Sequence, residues 1–382
     1  MIEIFKFINT PHDKKSANNY VDNLNGYYSV LLISIFVMVS GLHAYIGSPI
    51  KCWCPAHFTG SHVKYTDSFC WVQNTYYLDV NQTISQANKA TTAIKQTLQY
   101  YQWIPFIFAF QALMFYIPML IWQTFNTKNG IDVDDVIKSC TKLQTSYSKN
   151  DIDRVALQIN KYRSFQKNFK ANIITSTKDY SLFALYIFQK CLQVVNLLCQ
   201  VFLIQWIFSV NFLQVGYNVL SRLLTNTSFE DMGINIKFPR VTYCNLQVRL
   251  LGNVAPYTVQ CSLPVNLYAQ VMYILFWFWV AILLFFTIMD LSIWISRIVL
   301  MRRESIMNGL QCVDQKKNLK KIEIDQDSKP QPAPSSPEDE YPKYVKSLST
   351  DEIFILCFIK STTNSLIAKQ INNQLFKLFK KN

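Results

Sequence analysis

Cys52, Cys54, His57 and His62 lie in the run CWCPAHFTGSH, two thiols followed by two imidazoles, a set that can either hold zinc or supply cysteines for cross-linking. The spacing between the thiols is tighter than a usual zinc knuckle, so no metal is expected. Cys70 lies in the same segment, and Cys244 and Cys261 share a second one of similar length. Five thiols on an oxidising face should form disulfides and leave one over. Cys140, Cys191, Cys199, Cys312 and Cys357 fall elsewhere, in apolar or basic stretches where a reduced thiol packs as a small apolar residue. No serine, histidine or carboxylate stands in a catalytic constellation, and no stretch reads as a nucleotide-binding loop. Neither an enzyme nor a cofactor is expected.

Two charges stand out because of where they fall. Lys190 and Asp290 each interrupt a long apolar run, and counting along helices from the basic ends puts them at similar depth. They are expected to pair or to share a polar pocket, which offsets their desolvation. Gln189, Gln193, Asn196 and Gln200 repeat at helical spacing on one face of the same run as Lys190, a stripe that must face neighbouring helices or water rather than lipid.

The elements that position these residues are four apolar runs, over 27–47, 100–123, 182–210 and 267–296. Each is long enough to cross roughly 30 Å of hydrocarbon as a helix. About 26 largely polar residues precede the first run, so it reads as a signal anchor rather than a cleaved signal peptide. Sidedness follows from Lys and Arg: 124–181 holds ten and the tail from Arg297 holds fifteen, against four each in 48–99 and 212–266. Both termini are therefore expected in the cytoplasm, with extracellular loops over 48–99 and 211–266. The formal charge of +13 follows from this asymmetry and from attraction to anionic membrane lipids, with no nucleic acid required. The sequons at Asn81 and Asn226 then lie on the outer face.

On the inner side, residues 1–26 form a short amphiphilic segment and 124–181 carries apolar residues at helical spacing. The stretch 329–342, KPQPAPSSPEDEYP, has the composition of a disordered linker. Beyond it, Ser349 and Glu352 are spaced as a capping box ahead of IFILCFIK. The polar residues from Lys360 to Gln374 argue against a fifth span, so 349–380 should be cytoplasmic helix.

The run YYQWIPFIFAFQALMFYIPMLIW, with Tyr100, Tyr101, Gln102, Trp103 and Pro105 at its head, resembles the second span of the innexins, the gap-junction proteins of invertebrates. GSPIKCW at 47–53, DSFCWVQNTYY at 67–77, FPRVTYCNLQVRLLGN and YTVQCSLPVNLY resemble that family's extracellular loops, in consistent order. Departures occur at Cys54, at Asn245 and Leu246, and over Tyr268 to Val271. The resemblance implies an all-α membrane protein. It implies a four-transmembrane-helix bundle with disulfide-linked extracellular loops, a small α/β extracellular region and a helical cytoplasmic domain. It implies the pairs Cys52 with Cys261 and Cys70 with Cys244, leaving Cys54 over. It also implies a ring of like or related subunits in the plasma membrane, a hemichannel with residues 1–26 near its pore, and docking to a hemichannel on an adjacent cell. A nonjunctional hemichannel and a non-conducting four-span adhesion or scaffold protein are the alternatives.

Overall fold

The computed structural model describes residues 19–73, 75–77, 96–127, 130–146, 148–172, 181–208, 211–225, 238–300, 306–307, 309–310 and 337–381. Asn81, Asn226, Cys312, residues 1–18 and the linker up to residue 336 lie outside them. Among the described residues, four helices are long and apolar enough to cross a membrane: α1 (Tyr20–Ile46), α3 (Ile104–Asn126), α6 (Ser181–Phe208) and α8 (Pro264–Ile295). The chain divides into two compact units, each taking part of every one of these helices. The first comprises Met1–Ser29, Phe115–Val195 and Phe285–Asn382, the second Val30–Met114 and Asn196–Leu284.

The second unit holds all the strands. β1 (Lys51–Trp53), β2 (Thr75–Tyr77), β3 (Gln96–Leu98), β4 (Val241–Leu250) and β5 (Asn253–Ser262) form one antiparallel sheet in the order β1-β5-β4-β2-β3. Its backbone is the β4–β5 hairpin, which pairs from Val241↔Ser262 to Leu250↔Asn253. The chain reverses through Leu251 and Gly252, and Gly252 takes φ +80°, a conformation that a side chain would strain. Helix α2 (Gly60–Gln73) and the amphipathic helix α7 (Phe212–Thr225) complete this unit. Phe36, Phe108 and Phe276 pack the spans beneath the sheet, with ring centroids 5.5 Å and 6.1 Å apart.

The first unit gathers α4 (Val133–Thr145), α5 (Lys149–Asn172), α9 (Pro337–Ser347), α10 (Thr350–Thr362) and α11 (Ser365–Lys381) around one apolar core. Val136 and Ile137 of α4, Val155 and Ile159 of α5, and Ile355 and Phe358 of α10 belong to that core. Asp132 starts α4 by accepting from the amides of Asp134 and Asp135. Ser349 and Glu352 start α10 with both halves of a capping box. At 13 residues, α10 is too short to cross a bilayer, and it is buried from Thr350 to Ile359 by protein instead.

The first helix and the linker start and end differently from their sequence-based bounds. The first helix begins at Tyr20, seven residues before the uncharged run, and winds more widely over Leu24–Tyr28. Gly26 allows Met119 to lie against it there, since a Cβ would sit 2.8 Å from the Met119 sulfur. The linker expected over 329–342 gives way to helix α9 at Pro337, because Tyr341, Tyr344, Val345 and Leu348 bury against the core. Pro337 tolerates the first helical position, where no backbone donor is needed.

Candidate functional site

Lys190 is fully buried on α6, and its ammonium lies 2.7 Å from an Asp22 carboxylate oxygen of α1 and against Asp290 of α8. Asp22 also accepts from the Tyr186 hydroxyl at 3.0 Å and from Gln193 Nε2 at 2.8 Å. Asn19 donates to both oxygens of Asp290 at 3.1 Å. The Lys190 ammonium lies 5.2 Å from the centroid of the Tyr186 ring. Three spans are thus tied at one level by one cation and two carboxylates, with amides and a hydroxyl completing their shells. Such satisfaction is what lets buried charges persist in place of neutral packing. Asn25 adds a further tie, donating to Thr287 Oγ1 at 2.8 Å.

Tyr186 connects this cluster to the tail. Its ring meets Trp122, Trp294, Phe354 and Phe358 at centroid distances of 5.1 to 5.4 Å. One turn earlier, the first amides of α6 have no partner within their own helix, and a helix start favours negative charge. Asp351 of α10 fills that place, accepting from the Leu182 amide at 3.3 Å, the Phe183 amide at 3.0 Å and the Tyr162 hydroxyl at 3.1 Å. Beside it Glu352 pairs with Arg163 of α5 at 2.9 Å. Burial holds the Glu352 carboxyl above its usual range despite that pairing. Burial likewise raises the thiols of Cys140 to about 12 and of Cys357 to about 11, which keeps both protonated.

In the second unit, Cys52 faces Cys261 across β1 and β5 and is disulfide-bonded to it, and Cys70 of α2 is bonded to Cys244 of β4. The two bridges span 209 and 174 residues of sequence and join both loop segments into one body. The Cys52 amide also donates to Asp67 of α2 at 2.9 Å. With Cys52 committed to Cys261, the CWCPAHFTGSH set keeps one of its two thiols. Cys54 is a free thiol, and burial raises it further above neutrality. His62 Nδ1 faces the Thr59 amide at 3.3 Å rather than a sulfur.

Tyr100 to Trp103 form the turn before α3. Tyr101 is buried and its hydroxyl donates to the Trp71 carbonyl at 3.2 Å, and Gln102 Nε2 donates to the same oxygen. These two side chains therefore satisfy the carbonyl end of α2, which its own helix leaves open. Tyr100 meets Phe238 edge-on at 5.6 Å, Trp103 is exposed, and Pro105 occupies the first turn of α3, where its missing donor costs nothing. Gln189 and Gln193 are buried in the first unit and Asn196 and Gln200 in the second, so the amide stripe faces protein.

Asp22, Asn19, Tyr186 and Asp351 escaped the sequence reading. Asp22 had a signal: it precedes Leu24 and the uncharged run by less than two helical turns, so a helix extended backwards would carry it. Asp351 had none beyond its place in the first turn of α10, because its partners lie about 170 positions away.

The innexin family profile matches residues 18–379. Innexin unc-9 of Caenorhabditis elegans is 33% identical over 290 residues, which cover 73% of this chain and 74% of that protein. Innexin eat-5 of the same organism is 30% identical over 281 residues, 70% of this chain and 65% of that protein. Innexin-11, also from Caenorhabditis elegans, aligns over 99% of this chain and 82% of its own length at 24% identity. With four membrane-crossing helices and loops cross-linked into a single sheet, the chain belongs to the innexin family, multi-pass gap-junction channel subunits of the plasma membrane.

Proposed function

We propose that this chain assembles with copies of itself, or with other innexin subunits, into a ring around a wide aqueous path for ions and small molecules. Selectivity in such a path depends on its diameter and lining charge rather than on a dehydrating filter. The protein acts as a conduit and not as an enzyme. The observation that carries the junctional part of this reading is the sheet unit, where Cys52–Cys261 and Cys70–Cys244 make one cross-linked body of two loop segments. Docking to a hemichannel on the adjacent cell needs a face of fixed shape. Ordering loose loop backbone on contact would cost roughly 1–2 kcal/mol per residue. Cross-links supply that order beforehand.

The Lys190 cluster supports a role in fixing the start of the first span. Paired cells expressing only this chain should develop junctional conductance, and cells carrying Cys70→Ser or Cys244→Ser should lose it. A second reading, a nonjunctional hemichannel, is motivated by the sequon at Asn226, where a glycan would obstruct docking. Under that reading wild-type pairs stay uncoupled while single cells pass dye, and Asn226→Gln restores coupling. A scaffold role requires an assembled ring that passes neither current nor dye.

A further inference from the structure

Helix α7 turns three large apolar residues outward. Tyr217 is 74% exposed, Leu220 52% and Leu224 79%, at offsets of three and four that place them in one stripe. Gly216, one turn before Leu220, and Val219 are buried along the flank of that stripe, while the polar Asn218 and Ser221 are only half-exposed. Gly216 is there by necessity: any Cβ would run into the indole of Trp277 on α8. Its contact with Trp277 therefore fixes where α7 sits along the spans.

That level can be read from neighbouring contacts. Phe276, next to Trp277, meets Phe108 of α3 at 6.1 Å, and Phe108 lies five residues inside the exposed Trp103, a residue type that marks the headgroup level. At about 1.5 Å per residue, Trp277 lies roughly 8 to 9 Å deeper than Trp103. On α6, Gln200 Nε2 approaches the Gln111 carbonyl at 3.5 Å, which puts the exposed Phe202 at a comparable depth and Trp206 just above it. The chain leaves α6 at Phe208, and by residue 216 it has come back beside Trp277. At neighbouring depths on α6, Leu198, Phe202 and Trp206 are exposed as well.

We propose that α7 is seated in the outer leaflet, with Tyr217, Leu220 and Leu224 against phospholipid acyl chains at the boundary below the headgroups. An amphipathic helix in that position buries its apolar face about 5–10 Å into the boundary region, the depth that the Trp277 contact gives. The inference needs only the membrane spans and holds whether or not the protein conducts or docks.

The test places a diazirine-bearing amino acid at position 220, 224 or, as a polar comparison on the same helix, 214. The full-length protein is assembled in phosphatidylcholine nanodiscs, irradiated and analysed by peptide mass. The expected result is a phosphatidylcholine adduct at 220 and 224, several times more abundant than at 214. Cross-linking of 220 or 224 to a neighbouring copy of the chain would overturn the proposal in favour of a subunit interface. Water insertion as the main product would overturn it in favour of an aqueous face.

Discussion

Removing the Lys190 ammonium would strand two carboxylates that share it, Asp22 and Asp290, inside the helix bundle. Breaking a buried pair in this way costs about 3–5 kcal/mol, so Lys190→Met should sharply lower the thermal midpoint and yield of folded protein. Neutralising the partners as well, in Lys190→Met with Asp22→Asn and Asp290→Asn, should recover much of that loss; thermal unfolding in detergent compares the two. If the single variant unfolds like the wild type, the cluster is not holding the spans together. Glu352 makes a second residue-scale prediction, in pH. Its folded pKa is raised by burial, so its contribution to stability is full below the usual carboxylate range and fades as pH climbs through the raised value. The wild type should therefore gain stability relative to Glu352→Gln as pH falls from neutral to mildly acidic. A relative loss instead would mean that the Arg163 pairing outweighs burial.

Helix α6 depends at its start on a residue from the far end of the chain, since Asp351 accepts from the Leu182 and Phe183 amides. Asp351→Ala should cost about 1–2 kcal/mol, as for a lost helix cap, and hydrogen exchange at residues 182 and 183 should quicken while that of β4 stays unchanged. Unchanged exchange at those amides would show that water or another group replaces the cap. Each disulfide acts on the same scale: Cys244→Ser removes a cross-link over 174 residues, and losses of about 2–5 kcal/mol are usual for such bridges. Non-reducing and thermal analysis of the purified variant measures it. These elements differ in how far the sequence disclosed them. The four spans follow from apolar length, and the α10 start from the local Ser349–Glu352 spacing, because both signals lie within a few turns of chain. The Cys52–Cys261 and Cys70–Cys244 partnership came from resemblance, since five thiols alone allow many pairings. The cap by Asp351 is a tertiary juxtaposition of which local pattern carries no record, and Asp22 is signalled only by its closeness to the uncharged run, not as a partner of Lys190. Helix α9 was hidden by its prolines, which read as a linker until Tyr344 and Leu348 are seen to bury.

At the scale of the whole molecule, one unit holds the cross-linked sheet and the other the helical core, and each takes part of all four spans. Its basic excess falls on 124–181 and on the tail from Arg297, with comparatively few charges in the spans. On the proposed reading as one subunit of a ring, stability and conduction should be measured on the assembled ring rather than on a lone chain. The most direct test of the central claim is electrical: paired cells lacking other gap-junction proteins, each expressing this chain, with junctional current recorded alongside dye uptake into single cells. The account predicts junctional current in the wild type and its loss in Cys70→Ser. Rings that reach the cell surface, assemble fully and pass neither current nor dye would contradict it.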